Sequence, residues 1–167
     1  LLIDVGVETY SKKTFSPQRY EIWTMQSCWH NLPRFVGADG VYDQLPGAEY
    51  AARDVEPLPD GLAMDLAPAY GPVPGLNRYR RTARLTGAGL DLTDETDYPG
   101  EVRLSLMSRE APAVQGSTLH FGTLAQAALE GEILGVETEA VPITDPRLRQ
   151  AWPETLYRTV VRFTGHL

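Results

Sequence analysis

The sequence predicts an all-β fold, an antiparallel β-sandwich of roughly nine to eleven strands with at most one or two short helical turns. Three observations predict it. Apolar residues recur at period two along much of the chain, while helical periodicity is nearly absent. The 15 glycines and 13 prolines are dense in short breaks such as "PLPDG", "AYGPVPG", "DYPG", "EAPAVQG" and "TDPR". The runs between those breaks have strand length, and no linker separates two halves, so the chain reads as a single unit over residues 1–167.

Taken in order, "LLIDVGVETY" reads as the middle of a strand in which Asp4 interrupts an apolar run. Arg19 and Tyr20 fall in a loop between strands. "QSCWHNLPRFVG" then has a strand-like context, in which period-two geometry puts Cys28 and His30 on one sheet face. "GADG" reads as a hairpin turn signalled by Asp39-Gly40. In "GLAMDLAPAY", Leu62, Met64 and Leu66 share a face opposite Ala63, Asp65 and Ala67.

"RYRRTARLTGAGLDLTDETD" reads as a second hairpin, turning at Gly87-Ala88-Gly89. Val102, Leu104 and Leu106 alternate with Arg103 and Ser105, the pattern of a strand with one wet face. "TLAQAALEGE" is rich in helix formers and fits either a short helix or a strand extension. In "DPRLRQAW", Asp145 is placed to cap one helical turn that Pro146 begins. The last strand sets Tyr157, Val161 and Phe163 against Arg158, Val160 and Arg162.

Composition narrows the function classes. The net charge of −7 argues against a nucleic-acid partner. No apolar run reaches the roughly 18 residues that a membrane helix requires. The opening residues lack the basic n-region of a secretory signal, and a start in mid-strand raises the expectation of a piece of a longer chain. The compartment stays open. The single cysteine, Cys28, excludes an internal disulfide, and its apolar neighbours favour a buried inert thiol over a nucleophile.

Few residues are equipped for chemistry. The histidines are His30, His120 and His166: His120 reads as a strand histidine and His166 as solvated. No nucleophile-elbow, zinc-protease, phosphate-loop or dinucleotide motif occurs. A carboxylate in the setting of Asp4 is either a surface or strand-end group, or one held by a cation, a hydrogen-bond network or a metal. His30 is open between a core histidine bonded to backbone, a metal ligand and part of an active site. The rows Arg78, Arg80, Arg84 and Arg158, Arg162 read as solvated strand faces.

One resemblance bears on these residues. "LLIDVGVETY", "FSPQRYEIWTMQSCWHNLP", a hairpin through "YDQ", and "GAEYAARDV" resemble the C-terminal β-domain of heparinase II/III-like polysaccharide lyases. That family has a D-x-G strand followed by an H-N-x(5)-G-x-x-Q stretch, and the matching positions are Asp4, Gly6, Tyr10, His30, Asn31 and Gln44. "AWPETLYRTVVRF" resembles the family's terminal strand, with Pro153 where glycine is usual. The specific likeness lies in the first fifty residues or so.

The resemblance implies a β-domain packed on an N-terminal (α/α) toroid, forming one wall of a cleft for acidic, uronate-containing polysaccharide. It implies β-elimination, in which a base takes the proton beside a neutralised carboxyl group and an acid protonates the leaving oxygen. The acid and base lie outside this chain, so the chain alone is expected to be silent. The apolar docking face would be covered by the toroid or by self-association. Asp4 and His30 would be zinc ligands, with a third histidine upstream of Leu1; zinc in this piece alone would be weak or absent unless Cys28 completed the set. Arg19, Tyr20, Asn31 and Gln44 are the candidate substrate-binding residues. Relatives that degrade glycosaminoglycans would be periplasmic or extracellular. The alternative is a non-catalytic carbohydrate-binding or structural sandwich module.

Overall fold

The structure, a computed structural model, describes residues 2–167. Leu1, which flanks Asp4 in the sequence argument, lies outside them. Four 3-10 turns come first, at Lys13–Phe15, Pro17–Glu21, Trp23–Met25 and Ser27–Trp29. They lead into β1 (Pro33–Gly37), β2 (Gly40–Tyr42), β3 (Arg53–Leu58) and β4 (Gly61–Asp65). After a 3-10 turn at Ala67–Tyr70 come β5 (Tyr79–Leu85), β6 (Leu90–Thr96) and β7 (Val102–Ser108). Then follow β8 (Ala113–Gln115), β9 (Thr118–Phe121), β10 (Ala125–Ala128) and β11 (Glu132–Pro142). A last 3-10 turn, Leu148–Gln150, precedes β12 (Thr155–Thr164).

The fold is all-β, as the alternation predicts. Its strands form three sheets, ordered β3-β4-β5-β6, β8-β9-β10 and β11-β12-β7-β1-β2. The hairpins β1–β2, β3–β4, β4–β5, β5–β6, β8–β9 and β9–β10 are antiparallel. Twelve strands are present among the described residues, one more than the upper expectation. Both predicted hairpin turns form. Gly37 pairs with Gly40 around Ala38-Asp39, and Leu85 pairs with Leu90 around Thr86–Gly89. The ambiguous "TLAQAALEGE" resolves as strand β10, paired to β9. Asp145 accepts hydrogen bonds from the backbone N–H groups of Arg147 and Leu148, each at 3.0 Å, and so caps the single turn that follows.

Two expectations are corrected. Among the described residues six 3-10 turns occur in place of one or two, and residues 2–30 contain no strand. Leu2 makes only an isolated bridge with Ser108, after which the chain runs extended without entering a sheet. Asp4 Oδ1 accepts the Gly6 N–H at 2.9 Å, and Gly6 has φ +80, so the backbone turns out of β register there. From Ile22 to His30 the short turns recur every four residues: Ile22, Gln26 and His30 are extended between them, and Thr24 and Cys28 are the buried positions. Trp23 and Trp29, in successive turns, meet edge-to-face at 5.3 Å. Strand β7 also departs from its pattern, for Ser105 and Ser108 are as buried as the leucines. It is covered on both faces.

The chain divides into two compact units. The first comprises the chain through Arg34, Arg103–Leu129 and Gly135–Arg162. Its core joins Val5, Met107, Val141, Ile143, Leu148 and Leu156, with Ile3, Trp23, Trp29 and Trp152 packed around them. The second comprises Phe35–Val102, Glu130–Leu134 and Phe163–Leu167. There Phe35 is fully buried and meets Tyr70, Tyr79 and Tyr98 edge-on, with ring centroids 4.8, 5.4 and 5.2 Å away. Such aromatic pairs add about 0.5–1.5 kcal/mol each beyond area burial.

Candidate functional site: Asp4 and His30

The extended segment after Leu2 carries Asp4, and the first unit pins it along its length. The Ile3 N–H donates to the Met107 carbonyl at 2.9 Å. The Ile3 carbonyl accepts from Asn31 Nδ2 at 3.0 Å, and the Val5 carbonyl from Trp152 Nε1 at 2.8 Å. Glu8 accepts from Trp23 Nε1 at 2.7 Å, and the Thr9 N–H donates to the Asp145 carboxylate. Side chains and single backbone bonds thus hold the segment in place without a neighbouring strand ladder.

His30 ends the last of the four N-terminal 3-10 turns. Its Nδ1 lies 2.9 Å from Asp4 Oδ2, and its Nε2 lies 3.1 Å from the carbonyl of Thr24. Both ring nitrogens therefore lie within hydrogen-bond reach of an oxygen. Partial burial acts to raise the Asp4 pKa. The hydrogen bonds from His30 and the Gly6 N–H, with the charge of His30, outweigh it and hold the carboxyl below its usual value. The pair sits at a surface, since the Asp4 side chain is 69% exposed and that of His30 is 25% exposed. Thr24 is itself buried, and its hydroxyl has no hydrogen-bond partner among the described residues.

The sequence-derived residues distribute as follows. Asp4 and His30, 26 positions apart, are in contact. Asn31 lies beside them, but its amide spans two backbone groups, donating to Ile3 and accepting from the Met107 N–H at 2.8 Å. Its clearest role is to clamp β7 to the segment bearing Asp4. Arg19 and Tyr20 are exposed on a 3-10 turn rather than a loop between strands, with the guanidinium 5.5 Å from the Tyr20 ring centre. Gln44 is half-buried just past β2 and belongs to the second unit. His120 is half-buried in β9, and His166 is exposed.

Cys28 does not share a sheet face with His30, because no sheet exists there; its thiol is buried, with Gln26 Oε1 3.9 Å away. No group of three or more His, Cys, Asp and Glu arranged to hold a metal occurs among the described residues. Asp4 and His30 are two donors where zinc takes three or four, and both ring nitrogens of His30 already meet oxygen atoms. The donor types suit zinc, and the second imidazole nitrogen rests on a backbone carbonyl, the outer support that ligating histidines commonly have.

Of the arginine rows, Arg78 is exposed just before β5, and Arg80, Arg84, Arg158 and Arg162 each reach an acid on an adjacent strand or loop. Arg80 pairs with Glu56 at 2.7 Å and Arg84 with Asp60 at 2.6 Å. Arg158 pairs with Glu139 and stacks 3.9 Å over the Trp29 ring.

Comparison with known proteins adds no relative: no protein-family model matches the chain, and no curated protein does either.

Proposed function

We propose that this chain is the β-domain of a polysaccharide lyase of the heparinase II/III type, forming one wall of a cleft for uronate-containing polysaccharide. Asp4 and His30 would be its contribution to a structural zinc site. One observation carries the reading. Two residues singled out by a motif resemblance, 26 positions apart, meet at 2.9 Å, with the imidazole's other nitrogen anchored on Thr24. The resemblance supplies the rest, since no family model supports it. Zinc takes three or four protein ligands, so the reading requires at least one more donor from outside the described residues. The acid and base of the elimination would likewise come from outside this chain.

A second reading, a non-catalytic carbohydrate-binding module, is favoured by the exposed aromatic rings Tyr10, Phe15 and Tyr20, which are 55%, 78% and 44% exposed. Arg147 lies 4.4 Å from the Tyr10 ring centre and Arg19 beside Tyr20. Aromatic faces with a nearby cation suit the face of an acidic sugar.

The test is elemental analysis of the chain and of a version extended upstream, each with Asp4→Asn and His30→Gln counterparts. An accompanying assay follows unsaturated uronate formation. The lyase reading expects zinc in the extended protein, its loss in both variants, and eliminase activity only in the extended form. Sugar binding with neither zinc nor elimination at either length supports the binding module and overturns the lyase.

A further inference from the structure

We infer that a depression on the second unit is a binding site for a free, apolar α-amino acid, with Arg53 receiving its carboxylate and Glu49 its ammonium group. The site shares no residue with the Asp4–His30 pair and does not depend on the lyase reading.

The depression has a volume of about 330 Å³, at the small end of ligand sites. Ala67 and Leu76, both buried, and Pro68 give it an apolar lining. Glu49, Tyr50, Arg53 and Asn77 border the same space. An apolar lining with a few polar groups converging on it is the make-up of a small-molecule site.

The two charges at its border stand apart. The other strand arginines of this unit, Arg80, Arg81 and Arg84, each reach a carboxylate. Arg53 makes no ion pair among the described residues, although its partner in the β3–β4 ladder is an acid, Asp65. Asp65 Oδ1 is taken up instead by the N–H groups of Ala67 at 3.1 Å and Tyr79 at 2.9 Å. Glu49 has no cation partner among the described residues either. An anion and a cation thus face one small depression without bridging each other. A ligand that carries both charges on one carbon satisfies both with charge-assisted hydrogen bonds.

Local structure sets these groups in place. The β3–β4 register shifts between Arg53 and Glu56, and Asp54, at φ +49, is the only non-glycine residue with positive φ among the described residues. A bulge of this kind re-aims a side chain away from the regular ladder, and such backbone strain gathers at functional sites. The loop bearing Glu49 and Tyr50 is tied down at both ends. The Leu45 N–H donates to the Ala69 carbonyl at 2.9 Å, and the Tyr50 N–H to the Gly47 carbonyl at 3.2 Å. Asn77 gives its backbone N–H and its Nδ2 to Asp97, at 3.0 and 3.1 Å, which leaves Oδ1 as an acceptor. The Tyr50 hydroxyl has no partner among the described residues. The ammonium group therefore has Glu49 and Asn77 Oδ1, the carboxylate has Arg53 and the Tyr50 hydroxyl, and the side chain has the apolar lining.

The experiment is calorimetric titration of the full chain with leucine, with N-acetylleucine, which lacks the ammonium group, and with leucinamide, which lacks the carboxylate. Leucine should bind, and each derivative should bind at least about tenfold more weakly, the worth of a hydrogen bond to a charged group. Arg53→Gln should weaken leucine by at least about tenfold and leave leucinamide within about twofold of its wild-type affinity. Glu49→Gln should also weaken leucine, but leave N-acetylleucine within about twofold. Both side chains are exposed, so thermal unfolding without ligand should be the same in wild type and variants. Asp4→Asn should leave every affinity unchanged. The inference is overturned if leucine does not bind, if either derivative binds as tightly as leucine, or if either variant binds leucine within about twofold of wild type.

Discussion

Arg81 and Asp94 face each other on β5 and β6, joined by two parallel hydrogen bonds of 2.7 and 2.6 Å, with Asp94 only 1% exposed. Burial acts to lower the Arg81 pKa, but the bonds and charge of Asp94 outweigh it and keep the guanidinium firmly charged. A buried pair of this kind is costly to break and far less costly to replace. Asp94→Asn or Arg81→Leu alone should lower unfolding stability by about 3–5 kcal/mol in urea denaturation. Arg81→Met combined with Asp94→Leu should recover most of that loss. A single variant costing less than about 1 kcal/mol, the range of exposed pairs, would show that the pair is effectively solvated.

The Asp4 carboxyl, held below its usual value, links stability to pH in a definite direction. Its folded pKa is lower than its unfolded one, so the unfolded chain binds more protons between the two values and stability rises with pH there. The contribution is complete above the unfolded value and disappears as pH falls through the folded one. Because the side chain is 69% exposed, solvent limits the effect to about 1 kcal/mol or less. The stability difference between wild type and Asp4→Asn should therefore be flat near neutral pH and shrink toward zero in acid. A difference that grows on acidification would contradict the assignment.

What the sequence made legible follows from what side-chain patterns encode. The β5–β6 hairpin showed itself through alternation and a glycine turn. Yet "RYRRTARL" sets Arg80 and Arg81 on successive positions, so one of them must face inward, and Asp94 lies in the facing strand. The row Arg78, Arg80 and Arg84 masks that signal, because it accounts for the charge of the strand without an inward-facing arginine. The N-terminal region misled for a different reason. Its short turns recur every four residues between extended positions at Ile22, Gln26 and His30, a period that matches neither helix nor strand, and its tryptophans and isoleucine also suit strands. The resemblance pairs Asp4 with His30 on adjoining strands; the two do meet, but from a strand-free segment and the end of a 3-10 turn, and the hold of Thr24 leaves no trace in residue type because it is a backbone carbonyl.

Phe35 tests the core of the second unit. It is fully buried and touches three tyrosine rings edge-on. Phe35→Ala should cost about 3–5 kcal/mol, and Phe35→Leu less, because leucine fills more of the space but loses the ring edges. Thermal and urea unfolding of the two variants would measure the order. Equal losses would mean that the ring contacts, absent from both variants, matter and the extra volume of leucine does not.

Asn31 connects the candidate site to the sheet. Its amide nitrogen donates to the Ile3 carbonyl and its oxygen accepts the Met107 N–H, so one side chain satisfies two backbone groups that have left the strand ladder. Asn31→Leu retains the bulk but strands both groups, at about 1–3 kcal/mol for each that stays dry. Asn31→Asp keeps the acceptor for Met107 and loses only the donor to Ile3, so it should cost less. If the clamp positions Asp4, Asn31→Leu should also raise amide hydrogen exchange of Ile3 and Gly6. It should shift the His30 ring resonances toward those of Asp4→Asn, an effect absent in Phe35→Leu. Stability loss without those local changes would make Asn31 a packing residue with no hold on the site. The two readouts together separate a brace for β7 from a device that aims a carboxylate at an imidazole.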